Sequence, residues 1–127
     1  MPELHSIQGE LQGQVMAALW RVGAGTVEQV REELPPRYQG AYNTVQTVLN
    51  RLAEYGLLER VREGRGFVYR PKMTEAEYLS GSIRRTLAGA SSGARQAALA
   101  NVLGGLRPEE LSALEELARQ ARADPRP

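Results

Sequence analysis

The sequence predicts a mainly α fold in which three helices and a β-hairpin come first and further helices follow. Apolar residues recur at helical spacing in three segments before Gly56, separated by Gly or Pro. Two short runs of β-forming residues then flank a Gly-containing connection. After residue 72 the helical spacing returns. We therefore expect a winged helix-turn-helix over residues 1–72 and a helical region, here called the tail, over residues 73–127.

The first two helices are delimited by clear start and stop signals. Gly23 ends the first helix, and Pro35 and Pro36 end the second. Thr26 and Gln29 have the spacing of a capping box, which predicts that the second helix begins at Thr26. The apolar stripe of the first helix consists of Leu11, Val15, Ala18, Leu19 and Val22.

A third helix is predicted from about Tyr42 to Tyr55. Gly56 suits a left-handed C-terminal cap, with Leu57 folding back as an apolar contact. The core-facing positions are Val45, Val48, Leu49 and Leu52. The opposite face carries Asn43, Thr44, Gln46, Thr47, Asn50 and Arg51.

The outward face of the third helix has a composition that suits DNA. It could be an ordinary solvated face, but Asn and Thr each cost roughly 0.5 kcal/mol relative to Ala in a helix. In a major groove, Asn and Gln can pair with adenine, and a Thr methyl can pack on a thymine methyl. Because such helices contact bases with their N-terminal half, Asn43, Thr44 and Thr47 are the preferred base contacts. Arg51 could bind a phosphate or a guanine.

A basic hairpin follows. The predicted strands are Leu58–Arg62 and Phe67–Arg70, joined by residues 63–66. Its basic residues are Arg60, Arg62, Arg65, Arg70 and Lys72. They could simply protect an edge strand from aggregation, or they could bind the sugar-phosphate backbone as a wing. The two roles are compatible, and we expect Arg65, beside the glycines, and Arg62 to contact phosphate.

Composition narrows the function class. The formal net charge is only +1, but residues 37–72 hold seven basic and three acidic side chains, a local excess of +4. There is no Cys and only one His, His5. A catalytic triad, a metal site or a phosphate loop cannot be assembled, so we expect neither an enzyme nor a cofactor. The longest apolar run, residues 15–20, is too short to span a membrane, and we expect a cytoplasmic protein.

The tail is predicted to form three helices that pair two chains. Thr74 and Glu77 form a second capping box, a break at residues 89–93 separates the first two helices, and Pro108 begins the last. These helices offer more apolar surface than they can bury alone. The predicted dimerisation residues are Leu99, Val102, Leu103, Leu111, Leu114 and Leu117. The alternative is that they pack back on the winged helix.

These motifs resemble those of the penicillinase-repressor family of the BlaI, MecI and CopY type. The similarity is close from about Leu11 to Pro71. It is carried by Leu19-Trp20, Thr44-Val45-Gln46-Thr47-Val48-Leu49-Asn50-Arg51-Leu52, Gly56-Leu57 and Tyr69-Arg70-Pro71. The resemblance implies a homodimer that binds a palindromic operator in double-stranded DNA and represses transcription.

The resemblance also bears on how repression is relieved. In the β-lactam branch a membrane sensor-protease triggers cleavage after an Asn in the tail, which corresponds here to the bond between Asn101 and Val102. The family usually has Phe where this chain has Val102. The copper-responsive branch uses a Cys-rich tail, which this chain lacks.

Ala41 and Tyr42 depart from the polar N-cap expected at the third helix, and we expect the Tyr42 hydroxyl to contact the DNA backbone.

A rival hypothesis is a winged helix that binds another protein. The near-neutral total charge favours it slightly, whereas the Asn/Thr face and the basic wing oppose it. Salt separates the two, because affinity for duplex DNA falls steeply with salt when phosphates are neutralised.

Overall fold

The computed structural model describes residues 9–123, so His5 lies outside the described residues. They fall into two compact units, the first ending at Ile83 and the second beginning at Arg84. The elements are α1 (Gly9–Val22), α2 (Val27–Glu33), a 3₁₀ turn (Pro36–Tyr38), α3 (Tyr42–Glu54), β1 (Leu58–Glu63), β2 (Gly66–Pro71), α4 (Glu75–Ala88), α5 (Ser92–Gly104) and α6 (Pro108–Ala123). The predicted mainly α fold, with three helices and a hairpin wing followed by helices, is confirmed.

The first unit has one hydrophobic core, to which each of α1, α2, α3 and the hairpin contributes. Its largest fully buried side chain is Tyr69 of β2. The helices contribute Val15, Met16, Leu19, Val30, Val45, Leu49 and Leu52, among others. Val48, predicted in the core face of α3, is only half-buried and packs against the cluster. These contacts fix α3 on the domain by its apolar stripe and leave its other face outside.

Side-chain hydrogen bonds fix the start of α2 and the loop between α2 and α3. The predicted capping box of α2 is present: the backbone N–H of Gln29 donates to Thr26 Oγ1, and the backbone N–H of Thr26 donates to Gln29 Oε1. In the loop that follows, Gln39 Nε2 donates to Leu34 O at 2.7 Å and Arg31 Nε donates to Gly40 O at 2.7 Å. The sequence did not predict the 3₁₀ turn inside this loop, which Pro36 begins.

The end of α3 and the start of the hairpin form one tight turn. Gly56 has φ +86°. Its N–H donates to Ala53 O, and Leu57 N–H donates to Leu52 O. This is the hydrogen-bond pattern of a Schellman cap. Leu57 is fully buried, as predicted.

The hairpin is more tightly closed than the sequence suggested. Glu63 pairs with Gly66, so the loop has two residues, Gly64 and Arg65, rather than four. Gly64 has φ +62°, which favours Gly at the first position of a two-residue hairpin turn. Tyr69 also exchanges backbone hydrogen bonds with Gly25, so the segment before α2 pairs with the second edge of β2.

Trp20 connects α1 to the start of α4 within the first unit. Its Nε1 donates to Met73 O at 2.9 Å, and its ring lies 5.7 Å from that of Tyr78. The predicted capping box of Thr74 and Glu77 is present at the N-terminus of α4. The first turns of α4 therefore belong to the first unit, together with the winged helix.

The second unit, described over residues 84–123, contains the end of α4 together with α5 and α6. Ser91 Oγ accepts from Ala94 N–H and caps α5. Because of this cap, α5 begins at Ser92, which lies within the break predicted at residues 89–93. None of the described residues of this unit is fully buried. In the described part of the chain, no helix is both long and apolar enough to cross a membrane.

Candidate nucleic-acid interface

The N-terminal half of α3 presents a continuous polar surface. Tyr42, Asn43, Thr44 and Thr47 are exposed, and Arg51 is exposed two turns further along. Val45, Leu49 and Leu52 on the opposite side are buried. Within the described residues, no side chain caps α3 at Ala41, as the sequence predicted. Thr44 N–H donates to Ala41 O at 3.0 Å, and the Ala41 side chain offers no acceptor to the N–H groups before it.

Thr47 is oriented by its own helix. Its hydroxyl donates to Asn43 O at 2.8 Å. This bond occupies the hydroxyl with the backbone one turn earlier, as is common for Thr inside helices. The methyl group is therefore the part of this exposed side chain that remains for an apolar contact.

Asn50 and Gln46 differ from their neighbours on this face because both are half-buried. Asn50 Oδ1 accepts a hydrogen bond from the Tyr69 hydroxyl at 2.6 Å and a second from Arg60 Nη1 at 3.0 Å. Asn50 is thus bound to both strands of the wing, which comprises β1, β2 and their turn. The sequence analysis places Asn50 on the outward face of α3, among the residues expected to contact DNA.

The wing carries exposed cations on a structured support. Arg62 and Arg65 are exposed, with Arg65 in the two-residue turn. The guanidinium of Arg60 lies 4.2 Å from the centroid of the Phe67 ring, and that of Arg62 lies 5.8 Å from it. Stacking on an aromatic face favours a guanidinium over an ammonium group. Two of the wing's arginines are therefore partly ordered before any ligand arrives.

A cavity of about 290 Å³ joins the beginning of α3 to the tip of the wing. It is lined by Tyr42 and Gln46 from α3 and by Arg65 from the turn, together with Thr26 at the start of α2. The structure therefore brings together three predicted site residues, Tyr42, Gln46 and Arg65. Asn43, Thr44, Thr47 and Arg51 lie on the exposed part of the helix surface outside the lining of this cavity.

Tyr69 stands at the junction between core and interface. Burial raises the pKa of its hydroxyl above the ordinary 10.0, and the neighbouring positive charge of Arg60 opposes that shift. The hydroxyl is therefore protonated at neutral pH. It can act as the hydrogen-bond donor to Asn50 that the geometry requires.

Two residues of this arrangement, Arg60 and Tyr69, were not predicted as site residues. Arg60 was one of five hairpin cations that could contact phosphate, and Tyr69 was placed in a strand and in a motif shared with the penicillinase-repressor family. The available signal was strand alternation, which places Arg60, Arg62, Phe67 and Tyr69 on one face of the hairpin. Nothing in the sequence indicated that this face meets α3 at Asn50.

The predicted dimerisation residues lie on α5 and α6. Leu99, Val102 and Leu103 of α5 are exposed, as are Leu114 and Leu117 of α6, whereas Leu111 is half-buried. Asn101 and Val102 lie in the last turn of α5, and Val102 is 65% exposed. These helices present apolar side chains to solvent in the single chain.

Two curated proteins are similar to this chain, one over most of its length and the other over about half of it. The transcriptional regulator BlaI of Mycobacterium tuberculosis is 38% identical over 117 residues, which span 91% of this chain and 85% of that protein. The penicillinase repressor of Bacillus licheniformis is 35% identical over 66 residues, which span 52% of each chain. Both are described as regulators or repressors rather than as enzymes.

A solved structure and a family model agree with these similarities. The solution structure of the DNA-binding domain of the repressor BlaI matches with a TM-score of 0.50 and 32% identity, covering 61% of this chain and 94% of that domain. The model of the penicillinase repressor family matches residues 8–120. The chain therefore belongs to the penicillinase repressor family, as its motifs indicated.

Proposed function

We propose that this protein is a transcriptional repressor that binds a palindromic operator as a homodimer. Its winged helix, residues 1–72, would bind the DNA and its helical tail, residues 73–127, would pair the chains. The observation that carries the proposal is the surface formed by α3 and the wing. It combines an exposed Asn/Thr face with ordered arginines, in a chain whose relatives are transcriptional regulators.

In this proposal α3 enters the major groove and its N-terminal half contacts bases. Asn43 and Thr44 are exposed in the first turn, and Thr47 offers its methyl group because its hydroxyl is bound to the helix. A Thr methyl packs on a thymine methyl, and an Asn amide pairs with adenine. Gln46 and Arg51 flank these residues. Tyr42, exposed beside the uncapped helix start, contacts the phosphate backbone.

The wing contacts sugar and phosphate and thereby sets the register of α3. Arg65 lies in the hairpin turn and shares a cavity with Tyr42, so both lie on the side of the domain where α3 begins. Arg62 lies further along the same strand pair. Contacts of this kind position the protein and add affinity without selecting a sequence.

The tail provides the dimer. Five of its predicted interface residues are exposed apolar side chains, Leu99, Val102, Leu103, Leu114 and Leu117. A second copy of the chain would remove this surface from water, and each Å² of apolar surface so buried contributes roughly 25 cal/mol. Two winged helices related by a dyad would bind half-sites separated by about one helical turn or a multiple of it.

Relief of repression by proteolysis fits the position of the bond between Asn101 and Val102. The bond lies in the last turn of an exposed helix that Gly104 ends. A cut there would detach α6, with Leu111, Leu114 and Leu117, from the DNA-binding unit. The partner in this step would be a sensor-protease that responds to an external signal.

The test is the salt dependence of binding to duplex DNA. Fragments of the protein's own genomic DNA are selected on the immobilised protein, and affinity for a retained duplex is measured from low to moderate KCl. Log affinity should fall linearly with log salt, with a slope of about −0.9 per neutralised phosphate. Arg65→Ala should weaken binding to all duplexes alike and reduce that slope by about one phosphate.

A matched control removes the same charge elsewhere. Arg95 is exposed on α5 of the second unit, so Arg95→Ala should leave the slope unchanged. If the protein retained no duplex DNA above background, the rival hypothesis of a protein-binding winged helix would replace the repressor.

A further inference from the structure

We infer that Asn50 is a positioning residue, which holds Arg60 of the wing beside α3 so that Arg60 contacts a phosphate of the duplex that α3 enters. This inference rests on the proposed DNA-binding function. It makes both roles more specific than the sequence pattern did. Asn50 acts through Arg60 rather than on a base, and Arg60, one of five basic residues of the hairpin, is held in place for a phosphate contact.

The orientation of the Asn50 amide follows from its neighbours. A guanidinium has only hydrogen-bond donors, so the Asn50 atom that faces Arg60 Nη1 at 3.0 Å must be the carbonyl oxygen. The Tyr69 hydroxyl donates to the same oxygen at 2.6 Å. A carbonyl oxygen has two lone pairs, and both are engaged here.

This arrangement conflicts with base recognition by Asn50. A bidentate contact to adenine needs the amide oxygen to accept from the N6 amino group while the amide nitrogen donates to N7. In the free protein that oxygen is already committed to the wing. Exchanging it for a base would leave the buried Tyr69 hydroxyl and the Arg60 guanidinium without their acceptor, which is costly.

Arg60 is held from two directions. Asn50 binds its Nη1, and the ring of Phe67 lies 4.2 Å below its guanidinium carbon. The residue is nevertheless exposed, and a guanidinium has five N–H donors, so donors remain for a phosphate. A side chain that is ordered beforehand loses less conformational entropy when it binds.

Tyr69 ties this pair to the core. Its side chain is fully buried, and its backbone pairs with Gly25. The hydrogen bond from its hydroxyl therefore fixes the position of the Asn50 side chain relative to the hydrophobic core. Through these three residues, α3 and the wing would meet DNA as one body.

The experiment is a double-mutant cycle on the full-length protein. Asn50→Ala, Arg60→Ala and the double variant are compared with the unaltered chain. Their affinities are measured on a duplex retained from genomic DNA and on versions of it with single base-pair changes, across a range of KCl. Trp20 fluorescence during urea unfolding confirms that each variant is folded.

Each single substitution should lower affinity for all duplexes by about the same factor, on the order of tenfold for a hydrogen bond to a charged group. Each should reduce the salt slope by about 0.9, the share of one phosphate. The double variant should bind within about twofold of either single variant, because both remove the same contact. The ranking of base-pair changes should stay as in the unaltered chain.

Tyr69→Phe tests the same network without touching the DNA surface. It removes one hydroxyl and should reproduce part of the affinity loss and of the slope change. Tyr38→Phe is its control: the Tyr38 hydroxyl donates to Glu10 at 2.6 Å, a bond of equal length that lies outside the contact between α3 and the wing. That variant should bind like the unaltered protein.

Two results would overturn the inference. One is that Asn50→Ala changes the preference at a single base pair, as a base contact would. The other is full additivity of Asn50→Ala and Arg60→Ala. Failure of the unaltered chain to bind duplex DNA would instead refute the proposed function itself, so the two failures are distinguishable.

Discussion

The two units of this chain use their apolar residues in opposite ways. In the first unit, thirteen apolar residues between Val15 and Tyr69 are at most 5% exposed. In the described part of the second unit no residue is fully buried, and Val102 and Leu117 are 65% and 58% exposed. Both units are built from helices with apolar stripes. The first unit is therefore stabilised by its own packing, whereas the second leaves much of its apolar surface exposed in the single chain.

The two units would contribute to DNA binding in different ways. The core of the first unit holds α3 and the wing in fixed positions, as contacts to DNA bases require. The second unit, whose apolar side chains are exposed in the single chain, would bury them by association. Affinity for an operator with two-fold symmetry would therefore depend on both units. The first would determine it through the local geometry of the contacts, and the second through the dependence of dimerisation on protein concentration.

The largest expected effect is a cavity in the first unit. Leu49 of α3 is fully buried, so Leu49→Ala should lower the free energy of unfolding by about 2–5 kcal/mol. Trp20 is the only tryptophan and lies in this unit, so its fluorescence during urea unfolding follows this unit alone. Leu117→Ala, in the second unit, should change that transition by less than about 0.5 kcal/mol. Equal losses would erase the contrast between the units.

A charge on the exposed stripe of α6 should act on association instead. Leu114→Glu would place a carboxylate in the proposed interface, and an unpaired buried charge is strongly unfavourable. We expect the dimer dissociation constant, measured by sedimentation equilibrium, to rise at least about tenfold. Ser112→Glu adds the same charge on the opposite side of α6 and should leave it unchanged. A protein that is monomeric before any substitution would contradict the role of the second unit.

A smaller effect is expected where α3 meets bases. Thr47→Ala should cost about 1–3 kcal/mol of operator binding and relax the preference at one base pair. Because the Thr47 hydroxyl is bound to Asn43 O, the methyl should be the part that matters. Thr47→Ser should therefore lose as much affinity as Thr47→Ala. A Thr47→Ser protein that binds normally would assign the contact to the hydroxyl.

The smallest effect concerns pH and sharpens the description of the first unit. Burial raises the pKa of Tyr69 in the folded state above its unfolded value near 10.0. Its contribution to stability is thus fully present below pH 10 and is lost as pH rises through the folded pKa. The Trp20 transition should show a fall in stability above about pH 10 that is smaller in Tyr69→Phe. Identical pH profiles would place the cause elsewhere.

Most of the fold could be predicted because its signals are local. The capping boxes at Thr26 and Thr74, the glycine cap at Gly56 and the apolar stripe of α3 each involve residues within one or two turns. The predicted hairpin loop is two residues longer than the observed one, because composition marks residues 63–66 as turn-forming but does not give the strand register. The early start of α5 depends on a single serine, Ser91, whose capping role lies within a segment that composition alone marks as a break.

The site was only partly predictable, for a related reason. Helical periodicity placed Asn43, Thr44 and Thr47 on the outward face, and all three are exposed. It placed Asn50 there too, but the partners of Asn50 come from residues 10 and 19 positions later in the chain. The packing of the hairpin against α3 decides that contact, and no local pattern encodes it.

The most direct test of the account as a whole is the sequence of the genomic DNA that the protein retains. If the first unit contacts bases and the second pairs two chains, the enriched fragments should share an inverted repeat. Its half-sites should be centred about one helical turn apart, or a multiple of it. Enrichment of a single unrepeated site, or of no common sequence, would contradict a dimer that binds DNA through two winged helices.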